Sequence, residues 1–198
     1  MSDRIEKIVE ARIPTVYGEF VITAFDSGII DMPHLCLSNI KAPFEIPVNV
    51  RIHSECMTGD VFGSTRCDCG EQLALSLNYL EENGGLLLYL RQEGRGIGLV
   101  NKLKAYNLQD KGMDTIEANH ALGFSTDSRE YSPALNILKH LGITSINLLT
   151  NNPDKIDAFE NSGIQIETRI PVTIKSRPEN LGYLKTKKED MGHLLHQL

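Results

Sequence analysis

Two short apolar-rich segments, Ala11–Thr15 and Glu19–Phe25, flank Tyr17-Gly18 and predict a hairpin over residues 10 to 25. Leu35–Leu37 and Val48–Ile52 read as further strands, the second delivering the chain to His53. A helix is predicted over Glu71–Glu82, with Leu73, Leu77 and Leu80 on one stripe and Asn83-Gly84-Gly85 as its stop. Leu86–Leu90 follows as a short buried strand. The glycine-rich turn Gln92–Gly98 then opens a helix carrying Leu99, Leu103 and Tyr106 on one apolar face, with Gly112 as its cap. Met113–Ser128 has no clear period and is expected to be a long polar loop, a length that usually carries function.

The second half alternates. Pro133 starts a helix through Ala134, Leu138 and Leu141 that Gly142 closes, and Ser145–Leu149 is a strand. Asn151-Asn152-Pro153 starts the next helix with proline at its first position. Ile156 and Phe159 face inward, Gly163 caps, and Ile164–Thr168 is the last strand. Such alternation predicts βαβ units. The expected fold is therefore α/β, a mixed sheet with an antiparallel N-terminal part and βαβ units in the C-terminal half. With 198 residues and no linker, the chain is expected to form a single domain over 1–198. Residues 176–198 are expected as a flexible tail, with Lys185, Lys187 and Lys188 on a solvated face.

Composition narrows the class without naming it. The chain is 41% hydrophobic and 23% charged, as in an ordinary soluble protein. Met1-Ser2-Asp3-Arg4 lacks a signal-peptide apolar region, and Gly84–Leu90 is far too short to span a bilayer. A cytoplasmic location and no membrane partner are expected. The net charge of -6 argues against a general nucleic-acid partner, which calls for a basic face.

In a reducing compartment clustered cysteines read as metal or redox sites. Cys56, Cys67 and Cys69 fall within fourteen residues, one Cys followed after ten residues by Cys-x-Cys. Three soft sulfurs suit zinc and leave a coordination position for water or substrate. The same spacing also serves a structural zinc with a fourth ligand elsewhere, His53 being a candidate, or plain reactive thiols. Cys36, among apolar neighbours, reads as core.

The turn at Gly94, Gly96 and Gly98 follows a strand and opens a helix, an arrangement that suits phosphate. It is neither a P-loop nor a dinucleotide fingerprint. Arg91 and Arg95 add guanidinium groups able to grip phosphate in pairs of hydrogen bonds. Asp127 and Arg129 would share one side of an extended segment, locally no more than a surface ion pair. Lys155 in the first turn of a helix is unfavourable for the helix dipole and suggests a neighbouring anion.

Together these residues resemble one family closely, GTP cyclohydrolase II, the enzyme opening riboflavin biosynthesis. The resemblance rests on Arg51–Asp60, Arg66–Gly70 and Arg91–Leu99, then Asn101-Lys102, Ala118-Asn119-His120, Leu122-Gly123-Phe124, Leu149–Pro153 and Met191–Leu194. Met57 stands where leucine is expected. The length implies a monofunctional form without a dihydroxybutanone-phosphate synthase domain. The resemblance implies conversion of GTP to 2,5-diamino-6-(5-phospho-ribosylamino)-pyrimidin-4-one with release of formate and diphosphate. It implies one catalytic zinc per subunit on Cys56, Cys67 and Cys69, magnesium with the triphosphate, and a homodimer. Asp127 matches the general base, Arg129 a nucleophile at the α-phosphate, and Tyr106 a residue at the ring-opening step. Substrate contacts carry over to Arg51, Ile52, His53, Ser54, Glu55, Gln72, Glu93, Gly94, Arg95, Thr115, Thr150 and Lys155.

First principles qualify one role. A guanidinium stays protonated in proteins, so Arg129 reads from the bottom up as a phosphate clamp oriented by Asp127. Two other functions compete: a related purine-ring hydrolase that keeps the phosphates or accepts another nucleotide, and a zinc-ribbon-like binding module in which metal only holds the fold.

Overall fold

The computed structural model describes residues 5–29, 31–40, 44–189 and 191–195, so the opening Met1–Arg4 lies outside the described residues. The predicted hairpin forms from β1 (Lys7–Thr15) and β2 (Gly18–Phe25), and Gly18 takes a φ of 133° at the turn. β3 (His34–Ser38) extends this ribbon, pairing antiparallel with β2. β4 (Val48–Ser54) leads through a single helical turn, α1 (Met57–Asp60), into α2 (Cys69–Asn83) and back to β5 (Leu86–Leu90).

The rest is helix-rich. A tight turn at Glu93–Gly96 precedes α3 (Gly98–Gln109), α4 (Thr115–Ala121) and α5 (Ser132–His140). β6 (Ser145–Leu149), α6 (Pro153–Asp157) and β7 (Gln165–Ile170) form a further βαβ unit, and α7 (Leu181–Glu189) follows.

The seven strands form one sheet in the order β1-β2-β3-β5-β4-β6-β7. β5 pairs antiparallel with β3 and parallel with β4, and β4, β6 and β7 continue in parallel. The mixed sheet is thus as the alternation predicted. The chain leaves β4 toward β5 on one side, while β6 and β7 lie on the other. Open α/β sheets bind ligands at the carboxyl ends of strands where the winding reverses in this way.

Side chains of β5 alternate between two cores. Leu86, Leu88 and Leu90 pack with Val50, Ile52, Ile146 and the α5 residues Ala134, Ile137 and Leu138. Leu87 and Tyr89 face Phe20, Leu77 and Leu80, so α2 covers the opposite face. Cys36 is core as read, 3% exposed, and burial pushes its thiol up to about 12.

Three expectations fail. The stretch from Met113 holds a helix, α4, started by a capping box that its polarity hides: Asp114 Oδ1 accepts from the amides of Ile116 and Glu117, while Glu117 Oε2 accepts from the amide of Asp114. The apolar face read for α3 is not core, since Leu103 is 46% exposed and Ala105 is the buried residue of that helix. Lys187 is not solvated: it sits 8% exposed on α7.

Candidate active site

β4 ends at Ser54 and the chain bends through Glu55 and Cys56 into α1, which returns it toward the start of α2. The Sγ atoms of Cys56, Cys67 and Cys69 lie within 4.8 Å of one another. Two glycines permit this approach. A Cβ on Gly70 would stand 2.3 Å from the Gly59 carbonyl oxygen, and one on Gly59 would stand 2.9 Å from Cys67 Sγ. Backbone therefore packs on backbone beneath the sulfurs.

Asp60, which sequence reasoning left unassigned, locks the bend from below. It accepts from the Cys56 amide at 3.0 Å, the Tyr89 hydroxyl at 2.9 Å and His53 Nε2 at 3.1 Å. His53 also stacks on Tyr89 with centroids 5.5 Å apart. Its Nε2 is taken up by Asp60, and neither ring nitrogen joins the three sulfurs in one cluster, so the structure gives no support to His53 as a fourth ligand. Burial lowers its pKa and keeps it neutral.

The three thiols are not equivalent. Hydrogen bonds from Cys67 and Cys69 draw the Cys56 thiol far below its ordinary range, with Lys102 Nζ 3.0 Å away adding to the pull. Sharing with Cys56 pushes Cys67 up to about 11. A cation with a taste for sulfur meets one ready thiolate and two thiols whose protons it can displace. These donors fit zinc.

The glycine-rich turn forms the next wall. Gly94 and Arg95 both take left-handed backbone, φ 62° and 61°. Glu93, 8% exposed, pins the turn: its Oε2 accepts from the Met57 amide at 2.6 Å, and its Oε1 from the Gly94 amide at 2.7 Å and Lys102 Nζ at 2.9 Å. The Ser128 amide donates to the Arg95 carbonyl at 3.1 Å, which brings up the loop holding Asp127 and Arg129. There Arg129 Nε donates to both Asp127 oxygens at 2.9 and 3.0 Å, and the side chains are only 13% and 20% exposed. This is no solvated surface pair, contrary to the local reading. Burial alone would lower the Arg129 pKa, but the Asp127 carboxylate outweighs it and holds the guanidinium charged.

β6 delivers Thr150, 1% exposed, and Asn152 caps α6 by accepting from the Asp154 amide at 3.0 Å. Lys155, 5% exposed, donates to the Ile52 carbonyl at 2.7 Å. Burial first, and then Arg51, Arg129 and Lys187, hold its amine well below the usual lysine range. Arg51 donates to the Leu149 carbonyl at 3.0 Å and to Gln72 Oε1 at 2.7 Å, and burial lowers it to about 10. Cations crowd together here at a cost that a polyanion would relieve.

Sulfurs and cations open into one cavity of about 770 Å³. It takes Arg51, His53, Ser54, Glu55 and Cys56 from the end of β4, then Cys67, Cys69 and Gln72 from the start of α2. Glu93, Gly94 and Arg95 come from the turn, Thr115 from α4, Arg129 from its loop, and Thr150 and Lys155 from beyond β6. Tyr106 lines it too, its hydroxyl 3.5 Å from Thr58 Oγ1, rather than completing a core stripe. Two expected residues stay out of the wall. The Ile52 side chain is fully buried in the core, and Asp127 reaches the cavity through Arg129.

Sequence reasoning missed Lys102, Asn119, Tyr183, Lys187 and His193 as cavity residues. The strings Asn101-Lys102 and Ala118-Asn119-His120 carried a signal for the first two. For Tyr183 and Lys187 no local pattern did.

The family model described as GTP cyclohydrolase II matches residues 6–171. GTP cyclohydrolase-2 of Campylobacter hominis is 54% identical over 185 residues, covering 93% of this chain and 93% of that protein. GTP cyclohydrolase-2 of Baumannia cicadellinicola is 48% identical over 98% of each. The riboflavin biosynthesis protein RibBA of Bacillus subtilis is 50% identical over 99% of this chain, which spans 50% of that longer protein.

Proposed function

The chain belongs to the GTP cyclohydrolase II family, and from that premise we propose that it hydrolyses GTP to 2,5-diamino-6-(5-phospho-ribosylamino)-pyrimidin-4-one, formate and diphosphate, in riboflavin biosynthesis. One observation carries this: three clustered thiols and a set of buried cations share a single cavity large enough for a nucleotide. Cys56, Cys67 and Cys69 would hold one zinc per subunit, which when bound supplies the Lewis acidity that opening an imidazole ring requires.

The chain's own groups do the rest. Hydrogen bonds from Cys67 and Cys69, with Lys102 adding to them, favour the Cys56 thiolate, and Tyr106 presents its hydroxyl to Thr58 Oγ1, which itself lies 3.7 Å from Cys56 Sγ. Arg51, Arg95 and Lys155 bind the triphosphate with its magnesium, helped by the Gly94 turn and Thr150. His53, Ser54, Glu55, Gln72, Glu93 and Thr115 shape the site around base and sugar. Arg129 serves as a phosphate clamp rather than a nucleophile, because the Asp127 carboxylate that orients it also keeps it protonated. A single-domain, cytoplasmic homodimer completes the picture. No helix among the described residues is long and apolar enough to cross a membrane.

The test is incubation of GTP with zinc and magnesium, with formate and diphosphate assayed separately. Both should appear in equal amounts. Formate without diphosphate would instead favour a ring-only hydrolase, and neither product would defeat an enzymatic role.

A further inference from the structure

The family match ends at residue 171, yet the cavity continues into α7 beyond it. We infer that Lys187 is a positioning residue of this site, acting through Asp68 to fix the orientation of Gln72 and Arg51, an inference that rests on the function proposed above.

Lys187 Nζ donates to Asp68 Oδ1 at 2.8 Å. Asp68, 2% exposed, stands between Cys67 and Cys69. Its other oxygen accepts from Gln72 Nε2, and Gln72 Oε1 accepts from Arg51 at 2.7 Å. Four side chains thus run in series from α7 to β4. An amide has one accepting end and one donating end, so the partner at one end dictates what the other offers. With Lys187 donating to one Asp68 oxygen and holding the group in place, the other oxygen accepts from the Gln72 NH2, which leaves the Gln72 oxygen to face Arg51. Without Lys187 a buried carboxylate loses its counter-charge, Gln72 loses its fixed partner, and Arg51 loses the acceptor that aims it.

The segment is seated well enough to do this. The His193 amide donates to the Lys187 carbonyl and the Leu194 amide to the Asn151 carbonyl, both at 2.9 Å, tying the chain to the loop after β6. The Tyr183 ring lies 4.4 Å from Lys187 Nζ and 5.7 Å from the Arg95 guanidinium carbon, spanning to the glycine-rich turn. Stability is a poor reason for the Lys187–Asp68 pair, because a buried ion pair returns little net free energy over an apolar replacement. Its distinguishing effect is orientation.

The test compares Lys187→Met, Lys187→Arg, Asp68→Asn and the double variant Lys187→Met/Asp68→Asn in steady-state GTP turnover, with Lys185→Met, an exposed neighbour on α7, as control. Lys187→Met should raise KM about tenfold while kcat changes by no more than about threefold. Lys187→Arg should recover most of that loss, Lys185→Met should match the wild type, and the double variant should show a KM raised as in the worse single variant and no further. The double variant leaves no unpaired charge, so it keeps the test sound if Lys187→Met fails to fold. A wild-type KM in the double variant, or strictly additive single effects, would overturn the assignment while leaving the proposed reaction intact. A wild-type chain that releases neither product from GTP defeats the proposed reaction itself, and this role with it.

Discussion

The two ends of the cavity are built in opposite ways. The sulfur end comes from one short stretch, Cys56 to Cys69, which two glycines fold tightly onto itself. The cation end draws Arg51, Arg95, Arg129, Lys155 and Lys187 from widely separated parts of the chain, gathered by the carboxyl ends of β4, β5 and β6 and by α7. One end is made by local chemistry, the other by topology. A local cluster keeps its geometry as long as its turn survives, whereas a gathered one depends on the whole sheet.

The sharpest way to break the contrast is Cys67→Ser. A catalytic sulfur end predicts loss of formate release by about three orders of magnitude or more, with far-ultraviolet circular dichroism and melting temperature close to wild type. Unfolding instead would make the cluster a structural metal site and erase the distinction between the ends.

Lys155→Met probes the other end. Removing a buried cation that donates to a backbone carbonyl should weaken binding of a non-hydrolysable GTP analogue by roughly 30- to 100-fold, the scale of a lost charge-assisted hydrogen bond of about 2–3 kcal/mol. Zinc stoichiometry should stay at wild type, and the melting temperature should hold or rise, because a desolvated amine is replaced by an apolar chain of similar shape. Metal lost together with nucleotide would show that the ends are not separable.

The smallest effect is expected away from both. His34 accepts from the Arg91 amide through Nδ1 at 3.1 Å, and burial, with Arg91 second, lowers its pKa from the ordinary 6.5. The unfolded chain takes up a proton below that pH which the folded chain refuses, so stability is lost as pH falls. The loss is at most about 1.4 kcal/mol per pH unit for this one group. His34→Asn, which keeps an acceptor, should flatten the fall in urea midpoint between pH 7 and 5.5. An unchanged slope would assign the acid sensitivity to the site.

What could be read before folding follows the same division. The cysteine spacing and the glycine-rich turn were legible because each is a local pattern with its own chemistry. The hairpin, the strands and α5 were legible because their apolar residues repeat at the right period. α4 was not, because its start signal, Asp114 with Glu117, precedes a short polar helix with no stripe to extend it. Tyr106 looked like core because it continues an apolar face, and only the fold turns its side chain to the cavity while Leu103 of the same face stays exposed. Lys187 sits between Thr186 and Lys188, where composition argues for solvent, and its partner Asp68 lies 119 residues away. No window along the chain holds both.

The two glycines under the sulfurs carry a consequence for how the protein can vary. At Gly59 and Gly70 the smallest side chain already collides with sulfur or backbone, so even alanine cannot be accommodated without moving a cysteine at the first or the Gly59 carbonyl at the second. These two positions contribute no functional group to the reaction, yet they should tolerate substitution about as poorly as the cysteines. In a survey of viable variants they would register as invariant, and the fixed quantity there is empty space.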